Sequence, residues 1–248
     1  MPETTDQTSI DAISDRLDEV QERIAQACDR ADRDPDEITV VAVSKTFPLQ
    51  AIANARELGL EHFGENRARQ LRDKAEERPG VIEGGDLYWH MVGHLQTNKA
   101  KFVARHADWF DALDSPRLAE ELNKRAGYNE RTIPCLVQVN ITGQEQKYGI
   151  SPEDVHDFLD QCAEYERLDI RGLMAMASFI EEPEDREQVR EEFRLARELF
   201  ETYDASSNPQ VTMAELSLGM SGDFEIAIEE GSTMVRIGSG IFGPRDYD

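Results

Sequence analysis

Ile38 to Pro48, ITVVAVSKTFP, sets a run of Val and Ile against one amine, that of Lys45. So short an apolar run reads as a strand buried on both faces, as parallel strands are. Side chains alternate along a strand, which puts Val41, Val43 and Lys45 on one side. An amine at the end of an apolar strand loses hydration, and desolvation lowers its pKa. A lysine of lowered pKa attacks carbonyls, the chemistry of a Schiff base. A lysine that extends from the strand end into solvent is the competing reading of the same run.

Two later stretches, LSLGMSGDF and RIGSGIFG, are rich in Gly and Ser. Small residues let backbone approach an anion closely, and a helix start offers free N–H groups with a favourable dipole. Ser221, Gly238 and Ser239 therefore form a candidate phosphate cup, with ordinary turn chemistry as the alternative. Arg236 sits inside the apolar run MVRIG, where an unpaired charge is costly, so it needs an anion, a planar acceptor or a structural ion pair. His90 and His94 are four apart, but they fall on a strand and loop with no third ligand at a metal spacing, and no metal is expected. No Ser-His-Asp or Cys-His arrangement is readable.

These residues need a scaffold that gathers strand ends. Residues 8–31 carry Ile10, Ile13, Leu17, Val20 and Ile24 at spacings of three and four, one apolar helical stripe. Strands are expected at 38–48, 61–66, 87–95, 108–114, 133–141, 168–177, 212–220 and 233–243. Helices fall between them: Gly59 ends the first, Ser115-Pro116 and Ser151-Pro152 start two others, and a long one covers about 184–203. Eight strand–helix units in 248 residues imply an α/β fold, a single (β/α)8 TIM barrel with residues 1–33 as an extra N-terminal helix packed on it. An open doubly wound sheet is the alternative, weakened by the lack of GxGxxG after the first strand. A barrel carries its site at the C-terminal strand ends, which here hold Lys45, Gly64 to Asn66, His90 to Gln96, Asn140, Met174, Met176, Gly219 to Ser221 and Arg236 to Gly240. No composition break marks a second domain, so 1–248 reads as one.

Fifty-one acidic residues against 27 basic ones leave a formal charge of −24, which argues against nucleic acid as a partner. Six of the basic residues are lysines, at 45, 74, 99, 101, 124 and 147. An acid-coated, lysine-poor surface fits a protein kept soluble in concentrated salt, hence a halophilic host. Self-repulsion at low salt favours a monomer. No run approaches a membrane span, and the N-terminus lacks a basic region and apolar signal segment, so a cytoplasmic protein with no membrane partner is expected. The scattered Cys28, Cys135 and Cys162 read as reduced core residues.

VAVSKTFP, HFGENRAR, WHMVGHLQTNKAK, VQVNITGQEQKYGI, GLMAMASF, ELSLGMSGDFEIAIEEGSTMVRIGSGIFG and the closing PRDY, together and in order, resemble the pyridoxal-phosphate homeostasis family. The likeness runs from about residue 36 to the C-terminus. It implies an alanine racemase N-terminal-type barrel that holds pyridoxal 5′-phosphate (PLP) as an internal aldimine on Lys45. Ser221 and the amides of Gly238 and Ser239 would hold the phosphate, Arg236 would reach the pyridine nitrogen, and Asn66 would lie near the ring. An arginine there does not readily share its proton, so the ring stays a weaker electron sink. Gly222 and His94 depart from the family pattern, where acidic residues and proline are common. The function implied is intracellular PLP homeostasis, a carrier or buffer without robust turnover, with PLP-dependent apo-enzymes as recipients. Racemases of this type add a second base with help from a second domain, which is not expected here. The alternatives are a weak amino-acid racemase using Lys45 and a residue such as His90, and a sugar-phosphate barrel without PLP. Lys99, Lys101 and Lys147 are candidates for a second, reversible PLP site.

Overall fold

The computed structural model describes residues 7–82, 86–144 and 146–244. The first six residues of the N-terminal stretch and the RDY of the closing motif lie outside them.

The apolar stripe of the N-terminal segment becomes α1, Ile10–Ala31, with Ile13, Leu17, Val20 and Ile24 buried. The Ser9 hydroxyl accepts the Ala12 N–H at 3.3 Å, and Asp32 ends the helix in the left-handed region, a stop that Asn and Asp tolerate. Eight strands alternate with helices after it: β1 Thr39–Val43, α2 Leu49–Glu57, β2 His62–Glu65, α3 Ala68–Glu77, β3 Tyr88–Met91, α4 Ala100–His106, β4 Trp109–Leu113, α5 Pro116–Tyr128, β5 Ile133–Val139, α6 Val155–Gln161, β6 Leu168–Ala175, α7 Asp185–Thr202, β7 Val211–Met220, α8 Phe224–Glu229, β8 Met234–Ile237 and α9 Ser239–Phe242. Each strand pairs in parallel with the next, and β1 pairs with β8, so the sheet closes into a barrel. That closure excludes the open doubly wound sheet.

Register decides what faces the interior. Val41 lies beside His62 and Arg236, Val43 beside Gly64, Gly64 beside His90, and Arg236 beside Met220. Helix α1 packs outside the barrel wall against α8, α9 and α2. Arg23 pairs with Glu225 at 2.7 Å, and Arg33 donates to the Ser232 carbonyl at 2.7 Å. These contacts cover the seam where β8 meets β1. Phe63, Phe110, Phe193 and Phe224 are fully buried between strands and helices, as are the thiols of Cys28, Cys135 and Cys162. Among the described residues no helix is long and apolar enough to cross a membrane.

Several strands end sooner than expected: β3 stops at Met91, β5 at Val139 and β6 at Ala175, and two further early ends shape the site. β1 stops at Val43, and a turn follows in which the Phe47 N–H donates to the Ser44 carbonyl at 3.1 Å. Lys45 is in that turn rather than on the strand face shared by Val41 and Val43. Thr46, next along, has φ 74°. A β-branched residue in that region carries strain on the order of 1–3 kcal/mol. The run 233–243 likewise splits. β8 ends at Ile237, Gly238 takes φ −108° and ψ −80°, and the N–H groups of Ile241 and Phe242 donate to its carbonyl. Gly and Ser in that stretch make a helical turn. Gly59, at φ 93°, closes α2 as its type suggests. Pro116 opens α5, but the Ser115 hydroxyl donates to Asp114 at 3.3 Å and does not cap. Ser151-Pro152 opens a short 3-10 turn, and α6 begins only at Val155.

Candidate functional site

At the C-terminal mouth of the barrel lies a cleft of about 480 Å3. Lys45, Asn66, Ser221, Arg236, Gly238 and Ser239 all line it, drawn from the ends of β1, β2, β7 and β8. Val43, Val92, Met176 and Met220 supply its apolar walls. Lys45 is half-buried. Asn140 and Met174, also at strand ends, do not line the cleft.

Arg236 shows how a cation is kept inside an apolar strand. It is 4% exposed. Its Nη1 donates to the carbonyl and hydroxyl of Ser217 at 2.8 and 2.6 Å, and Nη2 to the Ala175 carbonyl at 2.8 Å. The arginine of β8 thus ties down β6 and β7 through neutral acceptors, which engage both of its terminal nitrogens without cancelling its charge. Burial pulls the guanidinium below its usual value, while Asp111 and Asp223 pull it back up. Asp223 accepts the Met220 N–H at 2.6 Å. Burial pushes its carboxyl up, against the opposing pull of that N–H and of Arg236.

The two small-residue loops meet here. The Gly240 N–H donates to the Ser221 hydroxyl at 3.4 Å, joining the turn after β7 to the start of α9. Gly219, at φ 86°, lets the turn after β7 fold directly onto α8: a Cβ there would lie 2.7 Å from both Phe224 Cα and Ala227 Cβ. On the opposite wall a Cβ on Gly93 would lie 2.5 Å from the Asn66 carbonyl oxygen. Only glycine lets those two loops pack so closely.

His90 and His94 do not converge. His90 is fully buried in the barrel interior, its Nδ1 3.0 Å from Asp111 Oδ2 and its Nε2 2.9 Å from His62 Nδ1. With Asp111 ionised, His90 donates to it and accepts from His62. His94 turns outward, bonds Asp114 at 2.7 Å and stacks on Tyr148 with ring centroids 3.7 Å apart. Among the described residues no group of three His, Cys, Asp or Glu is arranged to hold a metal ion.

His62 carries a testable consequence. Burial, with His90 beside it, pulls its pKa from 6.5 to about 4. The folded state therefore holds it neutral while the unfolded chain protonates near 6.5. Its contribution is complete above that pH and is lost as pH falls from 6.5 towards 4. After discounting for its partial exposure and solvent screening, the effect is about 1–2 kcal/mol. Denaturant unfolding at pH 7 and pH 4.5 is expected to show a smaller acid loss in His62→Gln than in the parent. An equal loss would mean that His62 is not the titrating group.

The sequence model of the family described as "Alanine racemase, N-terminal domain" matches residues 16–246. A pyridoxal phosphate homeostasis protein of Escherichia coli is 41% identical over 235 residues, covering 95% of this chain and 97% of that protein. The chain belongs to the pyridoxal phosphate homeostasis protein family. A family member from Aquifex aeolicus is 40% identical over 233 residues, covering 94% of this chain and 98% of its own. The solved structure of PipY from Synechococcus elongatus with PLP bound is 33% identical, with a TM-score of 0.73 over 90% of this chain and all of that one.

In this member of the pyridoxal phosphate homeostasis family, the cleft wall also includes His94, Gln138, Tyr148, Ser178, Phe179 and Asp223. Of these, only His94 belongs to the strand-end residues expected at the barrel mouth. Tyr148 and Phe179 are exposed and come from loops without a chemical signature of their own. Asp223 had a signal, an acid beside the small-residue turn, but it is one acid among 51 acidic residues. Lys99, Lys101 and Lys147 lie outside the cleft; Lys147 donates to the Ala177 carbonyl at 3.1 Å.

Proposed function

We propose that this chain binds PLP in the cleft and acts in PLP homeostasis as a carrier or buffer, as one barrel domain without robust turnover. The observation that carries the reading is the convergence of Lys45, Asn66, Ser221, Arg236, Gly238 and Ser239 on a single cleft. Bound there, PLP supplies an aldehyde electrophile, a phosphate and a planar pyridine ring. The chain's residues fit each part. The Lys45 amine is the nucleophile for the aldehyde. The hydroxyls of Ser221 and Ser239 and the backbone of Gly238 are donors for the phosphate. Arg236 is a cation for the ring nitrogen, held against Ser217 and Ala175 so that it presents the same face whether or not a ligand is there. Val43, Val92 and Met176 exclude water from the ring's faces. The name of the relatives and the PLP in PipY support the same assignment.

The placement of His90 supports a carrier over a racemase. Both of its ring nitrogens are engaged away from the cleft, so it offers no second base beside Lys45. PLP-dependent apo-enzymes are the recipients in this reading, and a monomer in the cytoplasm of a salt-accumulating cell is the form that acts.

Titration of the purified protein with PLP in high salt is expected to give a yellow band near stoichiometry, and borohydride should leave a pyridoxyl group mapped to Lys45. A protein that takes up no PLP would sink the assignment. Incubation with L-alanine in deuterated water is expected to give negligible D-alanine and Cα deuterium, and rapid exchange would favour the racemase.

A further inference from the structure

Outside the barrel wall a buried polar cluster grips the Lys45 turn. Ser44 is its centre. Its N–H donates to the Gly64 carbonyl at 2.9 Å and its hydroxyl to Glu65 Oε1 at 2.8 Å. Its carbonyl accepts twice, from the Phe47 N–H at 3.1 Å and from Lys74 Nζ at 2.9 Å. Lys74, reaching in from α3, also pairs with Glu65 Oε1. Ser44 and Glu65 are fully buried, and the Lys74 side chain is 13% exposed. Glu65 Oε2 is buried with no hydrogen-bond partner. Burying such a pair costs desolvation that a well-packed apolar pair would avoid, so stability alone is a poor reason for it.

Its position suggests a different one. Ser44 to Phe47 is a four-residue turn with Lys45 at its second position and Thr46 at φ 74°. Such a conformation persists only where the surroundings over-determine it. The one carbonyl that closes this turn is the carbonyl that Lys74 holds. Local preference would let Thr46 relax to negative φ, and that relaxation would re-aim the Lys45 side chain.

We propose that Lys74, charge-balanced by Glu65, is a positioning residue for Lys45: by holding the Ser44 carbonyl it keeps the strained turn that directs the Lys45 amine into the cleft. The proposal rests on reading Lys45 as the residue that PLP modifies.

Four full-length variants test it: Lys74→Met, Lys74→Arg, Thr46→Gly and the double variant Lys74→Met with Thr46→Gly. Two quantities are measured in each, hydrogen exchange at the Phe47 amide without ligand and the rate at which PLP plus borohydride labels Lys45. Lys74→Met is expected to raise Phe47 exchange about tenfold, with distant barrel amides unchanged. Labelling of Lys45 should slow about tenfold or more, since small misplacements of a reacting group are costly. Lys74→Arg should restore part of both. Glycine adopts positive φ without strain, so the double variant should recover labelling to within about threefold of the parent. An ion pair that merely fastens α3 to the barrel would not be rescued by glycine. Unchanged Phe47 exchange and labelling in Lys74→Met, or no rescue by Thr46→Gly, would overturn the clamp. If Lys74→Met does not fold, Lys74→Leu, which likewise removes the donor to the Ser44 carbonyl, takes its place with the same readouts. If the parent itself takes no label at Lys45, the PLP assignment fails, while Phe47 exchange still decides the clamp.

Discussion

Lys45→Ala is expected to abolish the yellow band and all borohydride-stable label, leaving PLP bound by its phosphate and ring contacts alone. Loss of the covalent bond should weaken PLP by on the order of a hundredfold, about 2.7 kcal/mol. Lys45 is half-buried in a turn rather than packed in the core, so stability without ligand should change by less than about 1 kcal/mol. Lys45→Arg separates the two roles a cation could play there. It keeps a positive charge in the cleft, and a guanidinium does not condense with aldehydes as an amine does. If electrostatic capture of the phosphate were the lysine's main contribution, arginine would retain most of the affinity. Equilibrium dialysis with PLP against the three proteins measures the difference. Retention of a stable pyridoxyl group in Lys45→Ala, on any other lysine at parental yield, would move the assignment away from this turn.

Arg236→Leu is expected to cost stability on the order of 3–5 kcal/mol even without a ligand, the scale for removing one member of a buried charge arrangement. Three losses combine. The carbonyls of Ala175 and Ser217 lose their donor, the link from β8 to β6 and β7 disappears, and the buried carboxylates of Asp111 and Asp223 lose the cation that both sense. The pH dependence separates the charge loss from the packing loss. Without Arg236 the carboxyl of Asp223, already pushed up by burial, is raised further, and a raised carboxyl gains stability as pH falls. The deficit of Arg236→Leu relative to the parent should therefore shrink from pH 7 to pH 5. Arg236→Lys keeps the charge but not the planar fork, and should recover part of the stability. Denaturant unfolding of the PLP-free proteins checks all three. A loss below about 1 kcal/mol that does not vary with pH would mean that Arg236 is held by the fold rather than holding it.

Much of this architecture is written locally in the chain. Short apolar runs and 3.6-residue stripes alternate eight times, and each can be read within its own window because run length and side-chain direction follow the backbone's period. Alternation of that kind requires parallel strands, and eight units of this length close into a barrel. The six residues that now share the cleft were legible for a related reason. In a barrel the strand ends converge, so knowing which residue ends each strand is enough to group Lys45 with Arg236, 191 residues later, without knowing a single contact.

Only the tertiary structure decided the rest. The strand read through Lys45 ends two residues earlier, because the Ser44 carbonyl is claimed by Phe47 and Lys74. The eighth strand read through Gly243 breaks at Gly238, because its carbonyl accepts two N–H groups from the turn of α9. His90, four residues from His94, pairs with Asp111 and His62 from the adjacent strands instead. Tyr148 reaches His94 across the mouth, and Glu65 finds Lys74 from a neighbouring helix. Composition and periodicity report which way a side chain points relative to its own strand or helix. They do not report the register between strands or the competition for a particular carbonyl. A lysine in an apolar run could thus be recognised from the chain alone, whereas the turn that aims it depends on partners 21 and 30 residues from Ser44 that only folding brings into contact.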